Sequence, residues 1–330
     1  LSRQINPLVF TAKEDIECPV AFLPSANDYQ SVQGIMPIKY GADVLLLVVT
    51  FFWGITFVIV KEAIETVGVF LFLSQRFILA FIVMTLICAV LRRPLSQDVI
   101  RRGIALGVLL FGAYAFQTAA LVWTTASNTA FLTGLNIVIV SIISAFILKH
   151  HLGANMIVGV LLAAAGLFFL CTDGSWSFNK GDLLAIACAF FVAVHLILTA
   201  RYARKSDVYW LTAIQLGTVA ILSTAGAVMA GDGGAVLTRH PQILWALIIC
   251  VLFATVFAFL VQTSMQRFTT PTHTALIFCM EPVFGALYAA YALGERLGSW
   301  GYLGAVLIFS GMILSEIAFP ARTPEDVPKV

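Results

Sequence analysis

The sequence predicts an all-α integral membrane protein whose ten transmembrane helices form two inverted five-helix repeats. Three observations carry that expectation. The 330 residues are 60% hydrophobic and only 11% charged, with a mean hydropathy of +0.97, whereas an average soluble domain is about 25% charged. The apolar residues gather in continuous runs of bilayer-crossing length, about twenty residues each, which favours helices over the alternating ten-residue segments of a barrel. The two halves of the chain also match one another, which marks a duplicated membrane unit.

Taken in order, residues 1–36 carry Pro7, Pro19 and Pro24, the acids Glu14, Asp15 and Glu17, and no spanning apolar run. They read as a flexible tail. Residue 1 is Leu and Met36 stands just before the first apolar run, so a native start at Met36 is one of two open readings. Spans are then expected at about 43–61, 69–91, 103–122, 127–148 and 154–171, which make up a first repeat over 37–178. A second repeat over 179–319 holds spans at about 182–200, 208–230, 243–264, 272–292 and 299–318, and 320–330 is a C-terminal tail.

At a constant offset Gln117 falls on Gln262, Thr118 on Thr263, Thr129 on Thr274, and Gly159 and Gly166 on Gly304 and Gly311. Further upstream, Asp43 falls on Asp182 and Arg76 opposite Gln215. Five helices are an odd number, so the second repeat enters from the opposite side, with a pseudo-two-fold axis in the membrane plane. With the N-terminus inside, the inner loops hold Arg92, Arg93, Arg101, Arg102, Lys149, Arg201, Arg204, Lys205 and Arg267; the outer ones hold Lys61, Lys180, Arg239 and Arg296. That excess places both termini in the cytoplasm.

A net charge of +2, with its basic residues dispersed over loops, excludes a nucleic-acid partner. The six cysteines form no Cys-x-x-Cys pair, which argues against a zinc site or a disulfide framework. No phosphate-binding glycine loop ending in Gly-Lys-Ser/Thr is present. No cofactor is expected.

Several stretches share a pattern. They are Asp43 to Gly54 ending in FFWG, Ser74-Gln75-Arg76-Phe77, Glu281-Pro282-Val283, and Leu293-Gly294-Glu295-Arg296-Leu297 followed by Gly304 and Gly311. In this order and within a duplicated frame, they resemble the EamA family of the drug/metabolite transporter superfamily. The resemblance covers about 43–318. It implies an inner-membrane carrier of small metabolites, often an exporter of amino acids or related compounds, whose fifth and tenth helices lie outside a central cavity. The first repeat departs from the pattern: His150-His151 stands where Glu295-Arg296 stands in the second, and Asn136-Ile137 replaces Glu281-Pro282.

Glu281 is the leading candidate for a functional residue. A carboxylate near a helix centre costs about 2.5–3.5 kcal/mol on insertion scales, so it either lines a polar pathway or exchanges a proton. Its structural alternative is a buried acid tied to Arg76. Pro282 removes a backbone donor and frees the Phe278 carbonyl, so a bend is expected there. Helical spacing places Thr274, Glu281 and Tyr288 on one face, and Asn136 on the matching face of helix 4. Arg76 either attracts a substrate carboxylate or locks two helices together. Trp53 and Thr56 share a face of helix 1, and His195 lies on the equivalent face of helix 6 as a second proton-handling group or as hydrogen-bonded packing. Gln117 and Gln262 either converge on a solute near the midplane or bridge helices. The glycines at 159, 166, 304 and 311, seven residues apart, permit close helix contact or a homodimer.

These residues point to a secondary carrier, an exporter as the resemblance implies, that moves a small metabolite through the lipid bilayer by alternating access with Glu281 as a proton-coupling group. The alternatives from other classes are an uncoupled facilitator or channel and an intramembrane enzyme. The enzyme reading has little to stand on, because Gly174-Ser175 lacks a nucleophile-elbow context and His150-His151 has no local carboxylate.

Overall fold

The computed structural model describes residues 36–124, 126–147, 153–172, 179–231, 241–293 and 298–316. Most of the N-terminal tail, His150-His151, Gly174-Ser175, Glu295-Arg296 and 320–330 lie outside the described residues. Within them the chain is helical and carries no strand. Its elements are α1 (Met36–Val67), α2 (Val69–Val90), α3 (Gln97–Trp123), α4 (Ala126–Gly134), α5 (Asn136–Ile142) with a π-turn at Ile143–Ile147, and α6 (Ala154–Thr172). They continue with α7 (Lys180–Ala203), α8 (Val208–Met229), α9 (Pro241–Val251) with a π-turn at Leu252–Phe257, α10 (Ala258–Met265), α11 (Pro271–Phe278), α12 (Glu281–Leu293) and α13 (Ser299–Glu316).

Six helical stretches among the described residues are long and apolar enough to cross a bilayer: Tyr40–Val67, Val69–Val90, Gln97–Trp123, Lys180–Ala203, Val208–Met229 and Ile243–Met265. Three shorter apolar helices run over Thr129–Ala145, Ala154–Leu170 and Ser299–Leu314. Helix starts follow local chemistry. The Ser96 hydroxyl accepts from the Val99 amide, the Asp207 carboxylate from the Tyr209 and Trp210 amides, and Thr270 from His273 just before Pro271. Asn179 and Asp182 form a reciprocal capping box at the start of α7.

The packing brings the two halves together. α3 lies against α7 and α8, α2 against α8, α1 against α12, and α6 against α13. Glycines set the closest approaches. A Cβ on Gly54 would stand 2.5 Å from the Glu281 carbonyl oxygen, and one on Gly166 would stand 2.6 Å from that of Gly304. Gly311 faces Gly159 in the same way. The seven-residue glycine seam therefore joins α6 to α13 inside one chain.

The expected span at 272–292 is divided. The Met280 amide bonds to Ile277, three residues back, and α12 starts at Glu281. Pro282 offers no amide to Phe278, as expected. A second break sits at the matching place in the first half, at Leu135 between α4 and α5, although no proline is there.

Candidate functional site

A cavity with about 860 Å³ of atom-free space, mouth included, lies among α1, α2, α3, α4, α5, α7, α10, α11 and α12. Trp53, Thr56, Phe57 and Val60 of α1 line it, with Arg76 of α2 and Tyr114, Gln117, Thr118 and Leu121 of α3. Thr133, Asn136, Cys188, Val192, His195 and Leu196 complete one wall; Phe259, Gln262, Phe278 and Glu281 form the other.

The π-turn at Leu252–Phe257 organises one side. It turns the Thr255 hydroxyl to donate to the Cys250 carbonyl, five residues back, and leaves Ala254 as an acceptor for other helices. Trp53 Nε1 donates to that carbonyl at 2.9 Å. Arg76 donates to it through Nη2 at 3.1 Å, to Thr255 Oγ1 through Nε at 2.7 Å and to the Tyr114 hydroxyl at 3.4 Å, with its guanidinium 5.0 Å from the Tyr114 ring centre. Its bonds are to neutral groups, and among the described residues no carboxylate, Glu281 included, stands within ion-pair distance. The pairing of Arg76 with Glu281 considered above is not formed.

Glu281 opens α12 at the chain break, held by the contact between its own carbonyl and Gly54. It is half-buried, and it lines the cavity. Among the described residues its carboxylate has neither a hydrogen-bond donor nor a close opposite charge. Asn136, at the matching place on α5, donates Nδ2 to the Thr133 carbonyl at 2.9 Å, and its own Oδ1 is buried without a partner.

Towards the end of the bundle where α1 and α11 begin, polar bonds fill the space beneath the cavity. His195 Nε2 lies 3.0 Å from Gln215 Oε1, and the Gln215 amide donates to Thr263 Oγ1 at 3.3 Å. Gln262 Nε2 donates to Gln266 Oε1 and Gln266 Nε2 to the Leu196 carbonyl, both at 3.4 Å. Thr272 donates to Ser144 at 3.3 Å, and His273 Nε2 stands 3.0 Å from Asp43 Oδ1.

Of the residues singled out from sequence, Glu281, Gln117, Gln262, Trp53, Thr56, His195, Asn136 and Arg76 all line the cavity, and Tyr288 does not. Glu281 and Tyr288 both lie in α12, but Tyr288, two turns further along the helix, is not part of the cavity lining. Tyr114, Thr118, Thr133 and Cys188 were not among those candidates. Tyr114 and Thr133 each stand three residues before a singled-out residue, Gln117 and Asn136, and Thr118 is next to Gln117; that spacing was the signal available. Among the described residues no three His, Cys, Asp or Glu side chains are grouped so as to hold a metal ion.

The model of the EamA-like transporter family matches residues 41–172 and 179–317. A protein of Archaeoglobus fulgidus described as an uncharacterized transporter is 33% identical over 276 residues, which are 84% of this chain and 86% of that protein. A probable amino-acid metabolite efflux pump of Escherichia coli is 25% identical over 289 residues, 82% of this chain and 93% of its own. Its counterpart in Salmonella typhimurium is 23% identical over 84% and 95%. A crystal structure of a protein with 19% identity superposes with a TM-score of 0.70 over 84% of this chain and 96% of that one, which is a likeness of fold. With a family match over both halves and apolar helices of membrane-crossing length, the chain is a multi-pass membrane transporter and belongs to the EamA-like transporter family.

Proposed function

We propose that the protein is a secondary carrier that exports a small metabolite, an amino acid or a related compound, across the inner membrane by alternating access. Its ten spans form two inverted five-helix halves with both termini in the cytoplasm. The observation that carries the proposal is one cavity lined by matched positions of both halves: Gln262 of the second half and Gln117 of the first, and likewise Glu281 and Asn136. Inverted repeats that enclose a midplane site can rock about it.

Neighbouring pairs support the same arrangement. α2 against α8 and α6 against α13 are each a helix and its own counterpart, and α3 against α7 mirrors α9 and α10 against α1. In the proposed orientation the hydrogen-bonded end beneath the cavity is cytoplasmic, so the carrier is closed to the inside. The substrate class is drawn from the two efflux pumps.

Glu281 is assigned the coupling proton, because a carboxylate without a protein partner in a membrane cavity can alternate between charged and neutral forms. Reconstituted protein should move solute in response to an imposed pH gradient. Glu281→Gln should abolish that response while solute exchange continues. Full gradient dependence in the variant would remove Glu281 from coupling, and wild-type transport indifferent to the gradient would favour a facilitator. Labelling of loops 92–102 and 231–242 from the same side of the membrane would defeat the inverted arrangement itself.

A further inference from the structure

We propose that the cavity contains a subsite for the ammonium head of an amine, built from the side-chain oxygens of Glu281, Asn136 and Gln262; the inference rests on the carrier reading above. Both amides present oxygen, not nitrogen, and the network fixes this. Asn136 reaches the Thr133 carbonyl, which only accepts, so the group there is Nδ2 and the remaining atom is Oδ1. Gln266 reaches the Leu196 carbonyl, so it uses Nε2 there and turns Oε1 to Gln262. Gln262 must answer with Nε2, which leaves its own Oε1 over.

Gln262 Oε1 and Asn136 Oδ1 are thus acceptors with no partner, on side chains only 1% and 5% exposed that line the cavity. A buried acceptor without a donor is costly, so such atoms mark where a ligand donor belongs. Glu281 adds a third acceptor, and it is the one that carries charge. The segments just before Asn136 and Glu281 meet, with the Cys279 sulfur 4.0 Å from the Gly134 carbonyl oxygen.

Three acceptor oxygens select a ligand that supplies several N–H groups and positive charge, which is a primary ammonium. The rings of Trp53, Tyr114 and Phe259 in the same walls add a favourable surface for a cation and for an apolar body. A trimethylammonium would keep the charge and the rings but offer no N–H.

The test is binding to the full-length protein in nanodiscs, by calorimetry, of phenylethyl and butyl bodies carrying an ammonium, a trimethylammonium, a hydroxyl or a carboxylate. An ammonium form should bind at least about tenfold more tightly than its trimethylated, hydroxyl and carboxylate counterparts. Asn136→Leu and Gln262→Leu should each remove most of the preference over trimethylammonium, and Asn136→Asp should keep it. Retained binding of the trimethylated form reports that either variant is folded; if one is not, the other and the wild-type series decide. Equal binding of trimethylated and primary forms overturns the subsite, as does tighter carboxylate binding or no binding of either amine. Solute movement in proteoliposomes is scored separately, so a carrier that moves carboxylates but ignores amines loses the subsite and keeps the transport reading.

Discussion

Trp53 and Arg76, on different helices, donate to the same atom, the carbonyl oxygen of Ala254, at 2.9 and 3.1 Å. The π-turn makes this junction by taking Ala254 out of the regular α-helical ladder, and α1 and α2 are thereby tied to the wall between α9 and α10. Removing the indole donor in Trp53→Phe should cost about 1 kcal/mol, and Arg76→Met about 1.5–3 kcal/mol because its donor is charged. The two share an acceptor that either alone still satisfies, so the double variant, which leaves this buried carbonyl without either side-chain donor, should lose more than the sum. Chemical unfolding in detergent measures all three, and strict additivity would show that the shared carbonyl is not where the helices are coupled.

Gly54 and Gly285 cross at the start of α12. A Cβ on Gly54 would fall 2.5 Å from the Glu281 carbonyl oxygen and 2.9 Å from the Gly285 amide nitrogen, both backbone atoms that cannot swing aside. Gly54→Ala should therefore move the Glu281 segment, cost about 1–3 kcal/mol and lower transport. Gly41→Ala, on the same helix with nothing within 4 Å of the added carbon, is the matched control and should behave as the wild type. Transport rates of the two in proteoliposomes check this; equal rates would mean that the crossing has room to give.

The glycine seam makes a different forecast from the one its spacing suggests. Gly166 and Gly304 bring α6 and α13 into backbone contact within a single chain, so Gly166→Leu should destabilise the monomer before it affects any dimer. Light scattering alongside thermal unfolding separates the two effects. A stable monomer that has lost only its dimer would place the seam between chains instead.

Much of this was legible in the residues because lipid simplifies the reading. Long apolar runs mark the helices, and polar groups within them are rare enough to stand out, so eight of the nine singled out line one cavity. Pro282 announced the break before α12. The matching break at Leu135 had no such signal, since Ile137 stands where proline would be, and it depends on tertiary packing alone. The π-turn at Leu252–Phe257 also leaves no periodicity mark within an apolar run, so the neutral partners of Arg76 were hidden. Tyr288 misled because helical spacing reports a shared face, not what that face meets.

Gln266 is the last residue in the chain of bonds from the cavity floor, and it is completely buried. It accepts from Gln262 and donates to the Leu196 carbonyl of α7, so it ties the end of α10 to α7 within the second half, at the end that is cytoplasmic in the proposed orientation. Its counterpart at the other end is Leu121, and that of Leu196 is Phe57, an apolar pair lining the cavity with no side-chain hydrogen bond to make. The bond to Leu196 therefore favours closure on one side only. At about 0.6 kcal/mol for a membrane hydrogen bond, Gln266→Leu should move the equilibrium towards the inward-open form by about a threefold change in population. Cys188 reports it from inside the cavity: in inside-out vesicles an impermeant maleimide should label this thiol about threefold faster in the variant. Labelling read at Cys188 by mass spectrometry that does not accelerate would show that Thr272–Ser144 and the His195–Gln215–Thr263 bonds close this end without Gln266.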